Sequence, residues 1–334
     1  MKAGKLSELV LTRSVLKKIR NKRKEVLIGA GAGKDASVMK ISGELVTACA
    51  CSSSMSYIPR IPVTAENYLQ SVLLDAEITV IRAVNSISAE QGNPFALLTA
   101  MILPESFEEV QIKKVMDMFE ETARSFNLQI AGGHSEVSSH VERPVFVVTA
   151  YGNRKDTGVS AQEKKDLYGQ DIVMTGYMAL EGTAVMAELQ KDRMEKRFTP
   201  LYIAGAAEYR NQLCVMDHAV IAARNHVTVM HDLSETGVFG GLWELGEKMH
   251  TGLEVNLRLI PVRQETIELS EYMDINPYTM PSCGSMLMVA EDGTGLVREM
   301  EKYGIPAAVI GKVMEGNDKV LINHEERRFL EQPR

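Results

Sequence analysis

Three short stretches gather residues able to bind charge or move it. The first is Gly29-Ala30-Gly31-Ala32-Gly33-Lys34-Asp35, set between the apolar runs Val26–Ile28 and Ala36–Ile41. Glycines without Cβ atoms let backbone N–H groups close on a phosphate. The P-loop pattern is not met, because it needs a glycine five positions before its Gly-Lys pair and Ser or Thr after the Lys. Here position 28 is Ile and Asp35 follows Lys34. Asp35 repels a bare phosphate and suits a metal placed between the two, whereas a tight turn with no ligand satisfies the same residues. The second stretch is Gly132-Gly133-His134-Ser135-Glu136, and the third is His231-Asp232-Leu233-Ser234-Glu235-Thr236-Gly237. Polar groups at strand ends are where α/β proteins place ligands. Simpler roles also fit: Asp232 or Ser234 as a helix cap, His134 as a satisfied core histidine. His134, Glu136 and His140 can be combined into a metal site, but such spacing within a loop is weakly specific. No Gly-x-Ser-x-Gly elbow and no dinucleotide fingerprint occur.

The elements that must carry these stretches follow from apolar periodicity. In the first half the pattern predicts strands at Val26–Ile28, Ala36–Ile41, Glu44–Ala50, Phe95–Leu103, Leu128–Ala131 and Pro144–Gly152. It predicts helices over Ser7–Ile19, Glu66–Ser86 (closed by Gly92-Asn93-Pro94) and from a Ser106/Glu109 capping box to Phe126. The polar run Asn153–Gly169 is the predicted boundary between a domain at 1–155 and one at 156–334. Beyond it, strands are predicted at Asp171–Thr175, Val227–His231, Leu253–Leu257, Met286–Ala290, Ala307–Ile310 and Lys319–Ile322. Helices are predicted at Gly182–Gln190, Leu201–Leu213, Asp217–Arg224, Val238–Met249, Gln264–Met273 and Leu296–Tyr303. Strands and helices mix throughout, which means α/β or α+β.

The 334 residues carry a net charge of −7 and are 45% hydrophobic, which suits two globular domains and argues against a nucleic-acid-binding surface. The basic cluster from Lys17 to Lys24 is read as a solvated helix end. No apolar run reaches membrane-span length, and Arg13, Lys17 and Lys18 interrupt any signal-type segment. Cys49, Cys51, Cys214 and Cys283 show no paired metal spacing. Cys49 and Cys51 fall on one face of a strand, which is poor geometry for a mutual disulfide, so reduced thiols in a cytoplasmic protein are expected.

Taken in order, these stretches resemble one superfamily. Gly29-x-Gly31-x-Gly33-x-Asp35-Ala36, then Gly132-Gly133-His134-Ser135-Glu136-Val137, then Met230-His231-Asp232-Leu233-Ser234-Glu235-Thr236-Gly237-Val238 with Gly240-Gly241-Leu242-Trp243-Glu244, are similar to the aminoimidazole ribonucleotide synthetase-like (PurM-like) superfamily. Glu181-Gly182-Thr183-Ala184, Ile260-Pro261-Val262-Arg263 and Ser282-Cys283-Gly284-Ser285 extend the resemblance over nearly the whole chain. The branch it resembles is that of the hydrogenase-maturation carbamoyl dehydratases. The resemblance implies a two-domain PurM-like α/β fold whose N-terminal sheet pairs with that of a second subunit, giving a homodimer. It implies an ATP cleft with Mg²⁺ and phosphoryl transfer to a small amide or carbamoyl-type substrate. By the same resemblance Asp35, His134, Glu136 and Asp232 are the catalytic candidates, with Asp35 and Asp232 the metal candidates. Gly29, Gly31, Gly33, Lys34, Gly132, Gly133, Asn85, Glu235 and Gly237 are the cofactor-binding candidates.

The chain departs from the family pattern in three places. Cys51-Ser52-Ser53-Ser54 stands where the family has an acid after Ser or Thr. Ser86 stands after Asn85 where it has Asp. The last residues are Gln332-Pro333-Arg334, without the terminal cysteine that accepts the carbamoyl group in the hydrogenase-maturation enzymes, so the dehydratase reaction itself is not expected. Two metal-holding carboxylates are likewise expected to be missing. Two readings follow: an ATP-dependent enzyme with an altered metal site, or a non-catalytic dimer that binds a nucleotide or small ligand or serves as a scaffold for a partner protein.

Overall fold

A computed structural model of the chain describes residues 24–31, 33–52, 61–155, 164–227 and 229–332, with Val10, Thr12, Arg13 and Leu16–Lys18 nearer the N-terminus. Most of the helix expected at Ser7–Ile19, and Ser53 and Ser54, lie outside the described residues.

Two sheets, one in each half of the chain, make the mixed α/β architecture expected. The first holds β1 (Val26–Ile28), β2 (Ser37–Ile41), β3 (Glu44–Ser52), β4 (Gly92–Leu103), β5 (Gln129–Val137) and β6 (Val145–Arg154), in the order β1-β2-β3-β6-β4-β5. All neighbours are antiparallel except β4 and β5. One face is covered by α1 (Tyr68–Ala89) and α2 (Glu109–Ser125). Val72, Ala76, Val80, Ala83, Val84 and Ile87 recur every three or four residues along α1 and pack on Leu97, Met101, Phe146 and Val148. Phe119 of α2 meets Phe146 edge to face at 5.4 Å.

The second sheet runs β13-β12-β9-β11-β7-β10-β8. Its strands are β7 (Asp171–Thr175), β8 (Val229–Asp232), β9 (Gly252–Asn256), β10 (Met286–Ala290), β11 (Ala307–Met314), β12 (Lys319–Asn323) and β13 (Glu326–Phe329). The helices of this half are α3 (Lys164–Leu167), α4 (Leu180–Leu189), α5 (Lys191–Met194), α6 (Pro200–Ala207), α7 (Met216–Arg224), α8 (Gly237–Met249), α9 (Gln264–Met273) and α10 (Gly293–Lys302). α1 is apolar on its other side too. Leu74, Ile78 and Ile81 pack against Leu180, Val185, Tyr209 and Leu213, so one helix serves two cores.

Four expectations are corrected. Helix α1 runs on to Ala89 and is closed by Gln91 at φ 58, while Gly92, Asn93 and Pro94 belong to β4, with a register irregularity at Pro94/Ala96. The capping box at α2 is formed by Glu108 and Gln111, not Ser106 and Glu109. β13 has no counterpart in the sequence reading, because Glu326–Phe329 is charged at every position but the last and shows no alternation of apolar and polar residues. Most consequential, Gly132-Gly133-His134-Ser135-Glu136 is not a loop. It forms the middle of β5, paired in register with Leu98–Ile102 of β4.

That pairing explains one glycine. A Cβ on Gly133 would lie 1.8 Å from the Thr99 carbonyl oxygen, whereas on Gly132, with nearly the same backbone, the nearest atom would be a flexible Leu98 methyl at 3.7 Å. Gly133→Ala should therefore destabilise the protein by about 1–3 kcal/mol or more, and Gly132→Ala by clearly less, through its positive φ alone and without a backbone clash, measured by urea unfolding. Equal losses in the two variants would contradict this register.

Candidate functional site

The first polar group is built around Asp35, at the end of the glycine loop. The loop closes by Lys34 N–H donating to the Gly31 carbonyl at 3.3 Å. Gly33 has φ +66, and a Cβ there would lie 2.5 Å from the Glu244 carbonyl oxygen, so the loop is pressed onto α8. Asp35 thereby meets two cations from the other half of the chain. Its Oδ2 accepts from Lys248 Nζ at 2.6 Å, and its Oδ1 lies 2.5 Å from His231 Nδ1. The imidazole contact is short but poorly directed for a hydrogen bond, and acts through charge. On its other side, His231 Nε2 is 3.0 Å from Glu244 Oε2. Lys248 uses its remaining N–H groups on Glu90 Oε1 and the Met230 carbonyl, both at 2.7 Å, so all three ammonium donors are satisfied. Arg154 adds a further cation 3.5 Å from Glu90.

These side chains are nearly withdrawn from water: that of Asp35 is 4% exposed, that of His231 3% and that of Lys248 11%. Burial alone would raise the Asp35 carboxyl, but His231 and Lys248 outweigh it and hold the group well below the usual carboxylate range. Burial alone would lower His231, but Asp35 and Glu244 outweigh it and push the imidazole up to about 10. An imidazolium held between two carboxylates does not exchange its proton near neutral pH, so His231 is suited to fixing charge and not to general base work.

α1 supplies the rest of the arrangement. Arg82, Ser86 and Glu90 follow at intervals of four along one face. Glu90 holds Lys248. Ser86 Oγ is 3.2 Å from Asp232 Oδ2. Arg82 pairs with Glu181 of α4 and, at 3.1 Å, with Glu235. Burial raises the fully buried Glu181 carboxyl and the Arg82 guanidinium pulls it back. Asn85 is consumed structurally: its amide donates to the Leu213 carbonyl at 2.8 Å and to Cys283 Sγ, and its oxygen accepts from Val215 N–H at 2.9 Å. Asp75, two turns before Arg82, is pushed up to about 7 by burial, against the pull of Arg143.

The structure thus sets Asp35 and the Gly29–Gly33 loop with Lys34 against His231 and α8, and sets Asp232 and Glu235 against Ser86 and Arg82 of α1, while Gly237 opens α8. It does not bring His134 and Glu136 to that place within one chain. They lie on β5, at the edge of the first sheet opposite β1, exposed and 3.0 Å from each other. Gly132 and Gly133 are on that edge as well. Lys248, Glu90, Glu244, Arg82 and Glu181 are site residues that sequence reasoning does not reach. An arginine set in the run Ile78-Thr79-Val80-Ile81-Arg82-Ala83-Val84 is the available signal for Arg82.

The metal assigned to Asp35 and Asp232 does not fit this arrangement. Both Asp35 oxygens already face cations, and Mg²⁺ prefers carboxylate and water oxygens in near-octahedral array. Among the described residues no group of three or more His, Cys, Asp and Glu side chains converges on a metal-holding position. A surface hollow of about 490 Å³, lined by residues including Asn225, His226, Glu291 and Asp292, shares no residue with this seam.

Comparisons with known proteins agree with this geometry at the level of family. The profile described as AIR synthase related protein, N-terminal domain, matches residues 33–153, and the corresponding C-terminal domain profile matches residues 168–323. A carbamoyl dehydratase HypE from Rhizobium leguminosarum bv. viciae is 23% identical over 268 residues, 76% of this chain and 74% of that protein. A putative hydrogenase expression/formation protein from Methanocaldococcus jannaschii is 22% identical over 261 residues, 77% of this chain and 75% of that protein. Among solved structures, a HypE–HypF complex aligns over 97% of this chain and 99% of the matched chain with TM-score 0.70 and 20% identity. A ThiL complexed with AMPPCP and TMP covers 99% and 98% with TM-score 0.71 and 15% identity. A HypE in complex with ATP covers 99% and 95% with TM-score 0.66 and 15% identity.

Lys248→Met leaves Asp35 and Glu90 buried with less counter-charge and should cost about 3–5 kcal/mol. The pH dependence has a definite sign. The folded value of His231 lies above its unfolded value, so its contribution is complete below about pH 6.5 and is lost as pH rises toward 10. The folded value of Asp35 lies below, so its contribution is complete above about pH 4 and is lost as pH falls. Urea midpoints should therefore fall more steeply between pH 7 and about 8.5 in the wild type than in His231→Gln, while above that window the buried thiols, all pushed up by burial or by one another, add a loss common to both. A level wild-type profile would remove the charged imidazole from this description.

Proposed function

The chain belongs to the AIR synthase related family, whose structural relatives include a HypE in complex with ATP, and from that premise we propose that it binds ATP beside the Gly29–Asp35 loop and transfers a phosphoryl group to a small amide or carbamoyl-type substrate. The observation that carries this reading is the loop itself: Gly33 and Asp35 seat it against α8 and against His231, the residue that precedes Asp232 on β8. In that role the backbone N–H groups of Gly29, Gly31 and Gly33 contact phosphate oxygens, and Lys34, exposed at the loop, supplies positive charge. Lys248 and His231 add fixed cations behind the loop. No step is assigned to Mg²⁺, because Asp35, the first carboxylate that would hold it, is engaged by those cations.

The proposal includes a homodimer and a division near residue 155. Among the described residues β5 is an exposed edge strand of the first sheet, and Leu98 and Val137 are exposed beside it, which supports sheet-to-sheet pairing with a second copy. In such a dimer His134 and Glu136 lie at the interface. A partner protein is part of the proposal on the strength of the HypE–HypF complex. So is a cytoplasmic location, on the free state of all four cysteines.

The Asp35–Lys248 contact favours a second reading, a nucleotide or small-ligand binder without turnover, since an acid neutralised internally is not offered to a metal. Thermal unfolding with ATP separates the possibilities. ATP at a hundredfold excess over Kd should stabilise the protein by about 2.7 kcal/mol, with little added by Mg²⁺, and Gly33→Val should remove the shift. No shift with either ATP or ADP would sink the nucleotide reading. A strong Mg²⁺-dependent shift abolished in Asp35→Ala would show that the acids do hold a metal. Stabilisation without ATP hydrolysis on any amide or carbamoyl compound tested would select the binder. Gel filtration should give a dimer, and a clean monomer would end the sheet-pairing proposal.

A further inference from the structure

Cys49 and Cys51 take no part in the ion-pair seam or in the proposed nucleotide site. Both lie on the face of β3 that also carries the buried Leu45 and Thr47, packed against the α1 core, and both are half-buried. Their sulfurs are 3.7 Å apart. Two thiolates bound at about 2.3 Å to one tetrahedral ion span about 3.8 Å, so the observed separation is already that of a chelate. It is not that of a disulfide. Residues i and i+2 of a strand have Cα atoms about 6.6 Å apart, close to the upper limit for a disulfide of about 6.8 Å, and both cysteines are held in the strand by pairing with β6, Cys49 opposite Ala150 and Cys51 opposite Val148.

The surroundings add a second observation. The Ser86 hydroxyl is within hydrogen-bonding reach of the Cys49 thiol and of Asp232, whose carboxylate therefore stands behind the sulfur pair. Asp232 is 4% exposed. A dication between the sulfurs supplies the positive charge that two adjacent thiolates need. Hydroxyl and carboxylate groups just behind metal-bound atoms are the usual means of orienting them.

We propose that Cys49 and Cys51 form a two-sulfur site for a thiophilic d¹⁰ divalent cation, Zn²⁺ or the softer Cd²⁺, with Ser86 and Asp232 as the polar backing and water in the remaining coordination positions. Binding breaks two S–H bonds and two metal–water bonds and forms two metal–sulfur bonds. Two protons leave to solvent, and no electron is transferred.

The test uses the reduced full-length chain and Cd²⁺ alone. One Cd²⁺ per chain should bind with an ultraviolet sulfur-to-metal charge-transfer band. Its affinity should rise about 100-fold per pH unit while both thiols remain protonated, because two protons are displaced. Cys49→Ser and Cys51→Ser should each weaken binding at least tenfold, while Cys214→Ser, which alters the other half-buried thiol, should leave it unchanged. Should either serine variant lose its far-ultraviolet circular dichroism, the wild type still decides: one equivalent of Zn²⁺ should protect Cys49 and Cys51, and not Cys214, from maleimide alkylation read by peptide mass. A missing band, a one-proton pH dependence, retention of the band in both folded serine variants, or protection of Cys214 in place of the pair would each overturn the proposal.

Discussion

A charge buried in a protein interior must meet its opposite, and α1 with its C-terminal cap carries two such charges on one face, Arg82 and Glu90. Neither is satisfied chiefly by the first half of the chain. Arg82 is held by Glu181 and Glu235, and Glu90 by Lys248, all from the second half. Ser86, midway between them, reaches Asp232. This stripe therefore fixes the position of α1 along its own axis against β8, α4 and α8. A slide by two helical turns would place Arg82 where Glu90 is needed, and a slide by one would offer Ser86 to partners that require a charge. The apolar residues on either side of the stripe supply the bulk of the burial, but hydrophobic packing tolerates small slips that paired charges do not. A register role for the polar stripe follows from this difference.

The glycine loop depends on the same constraint from the other side. Asp35, between β1 and β2, reaches His231 and Lys248, and Lys248 is itself placed by Glu90 of α1. Loop, helix and second sheet thus share one ammonium group. Gly33 is the residue whose backbone allows the approach, since any side chain there would strike the α8 backbone. In the sequence the loop is attractive as a phosphate cradle. In the structure its first function is docking, and whatever ligand it holds must be bound by a loop already committed on its inner side.

The legible parts of the sequence are those with one dominant physical signal. Apolar periodicity marks α1, α2, β6, β7 and β10 within a few residues, and strand-end acids mark Asp35 and Asp232. β5 is illegible because Gly132-Gly133 is ordinarily turn punctuation, whereas here close approach to the Thr99 carbonyl demands a glycine inside a strand. Lys248 is illegible for a different reason. A lysine in the last turn of a helix is what the helix dipole favours anyway, so its second task of neutralising two carboxylates from the other half leaves no separate trace. Arg82 is legible in principle, because a guanidinium in the middle of a helix buried on all sides requires a partner.

Charge also links the seam to the sulfur pair. Asp35 and Glu90 are neutralised where they stand, the first by Lys248 and His231, the second by Lys248 and Arg154. Asp232 follows His231 at the end of β8, and its charge is felt across the Ser86 hydroxyl at the Cys49 thiol. An acid at position 86 would have offered oxygen to a hard ion, but a neutral hydroxyl does so only weakly. The same hydroxyl is well suited to a different task, since it donates to a carboxylate or a sulfur without adding negative charge to either. A soft dication on Cys49 and Cys51 would therefore face sulfur in front and a hydroxyl with a carboxylate behind it, which is the order of softness that the residues of β3, α1 and β8 already present.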